Sequence, residues 1–148
     1  MSGTMDIKFR GGDFVKALDR FQEDFEEKLL EAFRLAVVEV GEELIRRSPV
    51  DSGRFVNNWM TDNSKWPSKR RRNTPDPSAA AALEELYTVA AGMTLESMWR
   101  GVTITNNSAY ARVLEFGSSD QAPEGMVRVT EAMWAEIFEG AVRKAGLK

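Results

Sequence analysis

The stretch that decides the fold runs from Phe14 to Ile45 and reads FVKALDRFQEDFEEKLLEAFRLAVVEVGEELI. Its apolar residues recur at an average step of about 3.75 residues, close to the 3.6-residue period of an α-helix. They are Phe14, Leu18, Phe21, Phe25, Leu29, Phe33, Ala36, Val40 and Leu44. The spacing predicts one long helix with Asp13 as its N-cap, and Pro49 stops the helix just beyond its end.

The two halves of this predicted helix differ. Up to Lys28 it has one apolar stripe and an acidic outer face, whereas residues 29–40 are apolar on most sides and belong in the core. A helix of about 32 residues is about 48 Å long, while a compact chain of this size has a radius of gyration of about 15 Å. The helix therefore either bends near Gly41, or its first half projects and packs against something else, most simply a neighbouring copy. We favour projection, which makes these candidate intersubunit residues: Phe14, Leu18, Phe21 and Phe25.

The composition excludes many kinds of catalysis. The chain has 148 residues, which fits a single domain over residues 1–148, and it contains neither histidine nor cysteine. Imidazole bases, thiolate nucleophiles, zinc ribbons, iron–sulfur clusters and disulfides are therefore excluded. The sequence also lacks the glycine-rich motifs that bind phosphate. We expect a protein with no cofactor, no bound metal and no enzymatic activity.

Hydropathy argues against a membrane protein. No apolar run approaches the roughly 18 residues that a membrane-spanning helix needs. No early stretch resembles a secretion signal. We therefore expect a soluble chain that is made in a cytoplasm and has no membrane partner.

The rest of the chain predicts a mixed architecture. The segments in order are a strand at Arg54–Thr61, a mobile loop at 65–78, a helix at Ala79–Ala91 capped by Ser78, a strand at Gly101–Asn106, a short helix at Tyr110–Phe116 closed by Gly117, and a last helix that follows the loop 118–125 and ends near Ala145. This order predicts an α+β fold, in which a small antiparallel sheet is flanked by a long N-terminal helix, a middle helix and a C-terminal helix.

Positive charge is concentrated in the predicted loop. Residues 48–78 carry a net charge of +3 between two flanking segments of −3 each. Four consecutive cations lie in this region, with Trp66 nearby, and are Lys69, Arg70, Arg71 and Arg72. Such a run can hold phosphates and stack on a base, which makes DNA binding the alternative function. It can equally dock on an acidic partner surface, such as helix one of a neighbouring copy, or be a solvated loop.

The remaining candidates for chemistry are carboxylates and tryptophans. We interpret Asp76 as a turn residue and Glu115 as the partner of an arginine such as Arg54 or Arg112, because ion pairs are commoner than catalytic carboxylates without a visible partner. A carboxylate-dependent hydrolase is the third hypothesis. Three of the four tryptophans fall on helix or strand stripes, so core packing accounts for Trp59, Trp99 and Trp134.

Two stretches are more specific than composition. The first is SPVDSGRFVNNW at 48–59, and the second is ITNNSAYARVLEFGSSDQAPEGMV at 104–127. Together they resemble the paired signatures of a family of tailed-bacteriophage neck and tail-completion proteins, which includes relatives of the minor tail protein Z of lambda-like phages. Ser52 stands where that family usually has threonine, and the loop at 65–78 matches no signature of the family.

The resemblance implies a structural role without catalytic residues. It implies a virion protein of the neck or tail, assembled in the bacterial cytoplasm as a homo-oligomeric, hexameric ring around the DNA channel. Its partners would be head-connector (stopper or adaptor) proteins and tail-terminator or tail-tube proteins, with transient contact to packaged DNA. The scaffold residues carried over are Pro49, Asp51, Gly53, Arg54, Asn106, Tyr110, Ala111, Glu115, Gly117, Gln121, Ala122, Pro123 and Gly125.

Several of these motif residues also have a physical interpretation. We expect Asp51 to cap the turn through the amides of Gly53 and Arg54, and Gly53 to supply a positive φ. Tyr110 and Ala111 offer one large and one small surface with which a short helix packs on the sheet. The segment 121–125 is expected to be a compact turn that places the last helix.

Overall fold

In the computed structural model, which describes residues 3–8 and 10–147, one helix dominates the chain. This helix, α1, runs from Gly11 to Arg47, two to three residues beyond the predicted limits at each end. Arg10 is its N-cap and makes no side-chain capping bond, so the prediction that Asp13 is the cap is wrong. Asp13 lies instead in the first turn, where a negative charge interacts favourably with the helix dipole.

Helix α1 is continuous through Gly41. This glycine is buried against Leu86, and a Cβ at position 41 would lie 2.5 Å from both of the Leu86 methyl carbons. Gly41 therefore permits the close approach of a second helix and does not break the first. Residues 10–25 are exposed throughout, so of the two alternatives the structure has the projecting half. We call Gly11–Phe25 the α1 arm.

The prediction of an α+β fold is confirmed. After α1 the chain forms a 3-10 helix at Val56–Asn58, β1 at Trp59–Asp62, α2 at Ala80–Ala91, α3 at Leu95–Arg100, β2 at Thr103–Asn106, α4 at Ala111–Glu115, α5 at Val127–Ala132 and α6 at Trp134–Lys144. Strands β1 and β2 pair antiparallel, with Trp59 opposite Asn106 and Asp62 opposite Thr103. The second half of α1 packs against α2 on one side and α6 on another.

The first predicted strand is only half correct. Residues 54–58 form a turn and the 3-10 helix: the Asn57 N–H donates back to the carbonyl of Gly53 at 3.1 Å, and the Asn58 N–H donates to the carbonyl of Phe55 at 3.0 Å. Strand β1 begins only at Trp59. The alternation over Phe55–Met60 does not separate an inner from an outer face, since all of these residues are buried.

Helix α2 begins in a different way from the prediction. Its N-cap is Ala79, in the left-handed region at φ 54°, and Ser78 does not cap it. Asp76 takes that role, since its carboxylate accepts from the N–H groups of Ser78 and Ala80 at 2.9 and 3.1 Å. Gly92 is the C-cap of the helix, which ends at Ala91 as predicted.

Two further differences concern short helices. Helix α3 was not predicted; it begins at a capping box formed by Thr94 and Ser97, and Gly101 at φ 109° ends it, so β2 starts later than predicted. The last helix, predicted as one, is divided into α5 and α6 at Met133.

The core lies between the C-terminal half of α1, the sheet, α2 and α6. Trp59 is buried there, and its indole N–H donates to the Ser48 hydroxyl at 2.8 Å. The prediction that Trp99 and Trp134 also pack in the core is wrong, because their side chains are 77% and 48% exposed. Trp99 lies on the short helix α3 and Trp134 at the start of α6, and no described element packs over either side chain.

Candidate functional site

The two motif segments contact each other directly. The Gln121 side chain bonds both backbone groups of Val50: its Oε1 accepts from the N–H at 2.8 Å, and its Nε2 donates to the carbonyl at 3.1 Å. Ala122, the next residue, is buried in the core cluster that contains Phe55 and Trp59. We call this junction the motif hub.

Asparagines extend the motif hub to the strands. The Asn106 amide donates to the carbonyl of Phe55 at 2.9 Å, and its Oδ1 accepts from Asn58 at 3.0 Å. The Tyr110 ring lies 6.0 Å from the Phe55 ring, and Ala111 packs against the same core cluster. Tyr110 and Ala111 therefore join the short helix α4 to Phe55 and its core cluster.

The turn after α1 depends on Gly53. Its φ is +84°, and a Cβ at this position would overlap the backbone of Asp76 and Pro77. Its carbonyl accepts from the N–H groups of Asn57 and Asp76, which joins the turn to the start of α2. The predicted cap by Asp51 is wrong: the Ser52 hydroxyl accepts from the Arg54 N–H at 3.3 Å.

Glu115 anchors the start of α5. Its carboxylate accepts from the N–H groups of Met126, Val127 and Arg128 at 2.8 to 2.9 Å. The Arg128 guanidinium also donates to it at 3.3 Å. The sequence predicted an arginine partner such as Arg54 or Arg112, and the partner is Arg128 instead.

These bonds decide the charge state of Glu115. Burial alone would raise the pKa of its carboxyl, but the N–H groups of Arg128, Met126 and Val127, with the Arg128 side chain, outweigh burial and leave the pKa below its ordinary value. A general acid needs a raised pKa, so this carboxylate is suited to holding α5 in place.

The basic segment is bound to the domain by two of its four cations. Arg70 pairs with Asp62 at 2.7 Å and with Glu85 at 3.1 Å. Arg72 pairs with Glu85 at 3.2 Å and donates to the carbonyls of Asn57 and Trp59 at 2.6 and 3.2 Å. Glu85, on α2, is therefore the centre of this network.

Amide side chains hold the same segment at further points. Asn57 donates to the Thr74 carbonyl at 3.0 Å, and Asn107 donates to the carbonyls of Ser68 and Arg70. The segment predicted as a mobile loop is thus docked along much of its length. Lys69 and Arg71 are exposed on its surface.

The α1 arm presents an apolar stripe to solvent. The exposed fractions of its four large side chains are Phe14 69%, Leu18 53%, Phe21 67% and Phe25 44%. The rings of Phe21 and Phe25 lie 6.4 Å apart and nearly parallel. Each turn of the stripe therefore presents a large apolar side chain that no other described part of the chain covers.

Sequence reasoning identified the motif residues and the arm but missed the partners that fix them. Glu85 and Arg128 carried no motif signal, since each is one of many charged residues on a predicted helix. Their roles arise from long-range proximity, as in the pairing of Glu85 with Arg70 across 15 positions of sequence.

Within residues 3–8 and 10–147, no group of three or more aspartate or glutamate side chains is arranged to hold a metal ion. No helix of this described part is both long and apolar enough to cross a bilayer. Comparison of the chain with protein-family models, with curated proteins and with solved structures found no match.

Proposed function

We propose that the chain is a structural virion protein of the phage head-tail connector, or neck, or of the head-proximal end of the tail. Its subunits form a ring that joins the head connector to the tail tube around the DNA channel. The observation that carries this proposal is the exposed stripe of the α1 arm. The proposed position of the ring in the virion is supported by the two sequence motifs, which resemble those of the neck and tail-completion family.

The stripe supports assembly because exposed apolar surface of this extent marks a contact site. Three phenylalanines and a leucine follow one helix face without a covering element in the described residues. A contact between this face and a different face of the next subunit is heterologous, and such contacts close into a ring when the rotation per subunit divides a circle.

The motif hub supports the same function. Gly53, Glu115 and Gln121 each position backbone of another segment, and none needs an activated side chain for that work. A protein that acts by shape and contact needs such rigid turns at fixed positions.

The alternative function, DNA binding through residues 69–72, has less support. Arg70 and Arg72 are neutralised by Glu85 and Asp62 within the same chain, so the segment offers less charge to phosphate than its sequence suggests. Lys69 and Arg71 remain on the surface. Binding to DNA that falls steeply with salt and is abolished by neutralising these two cations would favour the alternative.

Electron microscopy of the purified chain tests the proposal. We expect rings with a central opening, either alone or after mixing with head-connector proteins of the same phage. Particles that stay monomeric in every mixture would contradict it.

A further inference from the structure

An apolar groove lies open between α1, β2, α5 and α6. It has a volume of about 610 Å³. Its lining includes Phe33 and Val37 of α1, Val102 and Ile104 before and in β2, and Trp134 of α6. The lining is completed by Ala36, Val40, Leu44, Val127, Thr130 and Glu131. Since Val127 and Trp134 are 46% and 48% exposed, the groove is a concave apolar surface without a covering element in the described residues.

The strand that borders this groove has a free edge. The sheet consists of β1 and β2, and β2 pairs only with β1 in the described part of the chain. An unpaired edge presents backbone N–H and C=O groups that can accept a further strand. A two-stranded sheet is also marginal by itself, so a third strand at this edge would stabilise it. The groove and the edge together have the form of a site for one added strand.

The same chain contains a segment with the pattern of such a strand. Residues 5–10 read Met-Asp-Ile-Lys-Phe-Arg, a strict alternation of apolar and polar side chains. Met5 and Ile7 are 100% and 81% exposed, and the described part of this segment adopts neither helix nor strand. No described residue covers the side chains of Met5 and Ile7.

The segment cannot reach the groove of its own chain. Helix α1 separates Gly11 from Phe33, the nearest α1 residue of the groove, by about 33 Å at 1.5 Å per residue. Six extended residues span at most about 20 Å. Residues 5–10 are therefore too short to reach the groove of their own chain, and they can fill such a groove only on another molecule.

We infer that the groove is filled by residues 5–10 of a second copy of this chain, which pair with the free edge of β2 and turn Met5 and Ile7 toward the apolar lining. Main-chain hydrogen bonds along the edge supply affinity, and the alternate side chains in the groove supply register. The inference rests on the proposed ring and adds one contact to that of the α1 arm: each subunit gives its segment to one neighbour and receives one from the other.

Engineered disulfides test this contact directly, because the chain has no cysteine of its own. A chain with Ile7→Cys is mixed with a chain with Val127→Cys and gently oxidised. We expect mixed disulfide dimers between the two chains. The matched control is Val113→Cys, an exposed valine of α4 outside the groove lining, for which we expect at least about tenfold less cross-linking.

A second variant keeps the test independent of cysteine placement. Because Ile7 is exposed in the single chain, Ile7→Asp leaves its fold intact, which circular dichroism checks. Burial of a charge in the groove weakens assembly, and we expect the dissociation constant of the oligomer to rise at least about tenfold.

The outcomes separate the inference from the proposed function. Rings that form without cross-links between positions 7 and 127, or that are unaffected by Ile7→Asp, overturn the inference and leave the ring standing. A Phe21→Cys chain that cross-links to Val127→Cys in place of Ile7→Cys also overturns it, since the α1 arm then fills the groove. A chain that never assembles contradicts the proposed function itself.

Discussion

At the scale of single residues, the motif hub is held by side chains that bond backbone. Gln121 bonds both groups of Val50, Glu115 accepts from three consecutive N–H groups, and Gly53 has a left-handed φ. These contacts join positions up to 71 residues apart in sequence. The motif residues therefore fix the relation between the turn after α1 and the start of α5.

Gly53→Ala tests the turn. An added Cβ overlaps the backbone of Asp76 and Pro77 at a φ that L-residues avoid, so we expect a loss of about 2–4 kcal/mol in the free energy of unfolding. Urea denaturation measures it. The control is Gly12→Ala on the exposed arm, where nothing lies within 4 Å and no loss is expected. Equal stability of the two variants would rule out the role assigned to Gly53.

Glu115 gives the fold a pH dependence. Because its pKa is lowered in the folded chain, its contribution to stability is present above the ordinary value of 4.5 and is lost as the pH falls through the lower, folded value. We expect Glu115→Gln to be less stable than the parent at pH 7, and the difference to shrink toward pH 3. Thermal melts at a series of pH values measure this, and a difference that stays constant would contradict it.

At the scale of elements, the sequence predicted what depends on periodicity and missed what depends on distant contacts. The length and projection of α1 follow from its spacing of apolar residues and its span relative to the domain. The 3-10 helix at Val56–Asn58 was missed because the side chains around it alternate as they do in a strand. The backbone bond to Gly53, which makes this segment a turn, leaves no mark on that pattern. The docking of the basic segment was missed because Glu85 is not distinguishable in sequence from Glu84.

Glu85→Gln tests that docking. Loss of the carboxylate leaves Arg70 and Arg72 without their shared partner, so we expect a loss of about 1–3 kcal/mol and faster tryptic cleavage within 65–78. Limited proteolysis with mass spectrometry locates the cuts. Glu84→Gln, on the exposed side of the same helix, is the control and should behave like the parent. If both variants are cut at the parent's rate, Glu85 does not hold the segment.

For the α1 arm we predict a loss of assembly without a loss of stability. Phe21 is 67% exposed, so Phe21→Glu should change the stability of the single chain by less than about 0.5 kcal/mol, while it disrupts assembly. Glu23→Lys, a change on the opposite face of the arm, should leave assembly intact. Analytical ultracentrifugation compares the two. Assembly that survives Phe21→Glu would remove the arm from the interface.

At the scale of the whole molecule, two different apolar surfaces have no cover from the described residues. The α1 arm begins at Gly11, and the apolar groove beside β2 begins at Phe33, about 33 Å farther along α1 at about 1.5 Å per residue. Such an arrangement is self-complementary between neighbours and not within one chain. The proposed ring would use two such surfaces in heterologous contacts, and such contacts need none of the side-chain chemistry that the composition lacks.

Native mass spectrometry of the purified chain is the measurement that tests the ring most directly. We predict one closed assembly at a fixed multiple of 16.6 kDa, about 100 kDa for the six copies that the resemblance implies. A single species at 16.6 kDa under all conditions, including mixtures with head-connector partners, would contradict it.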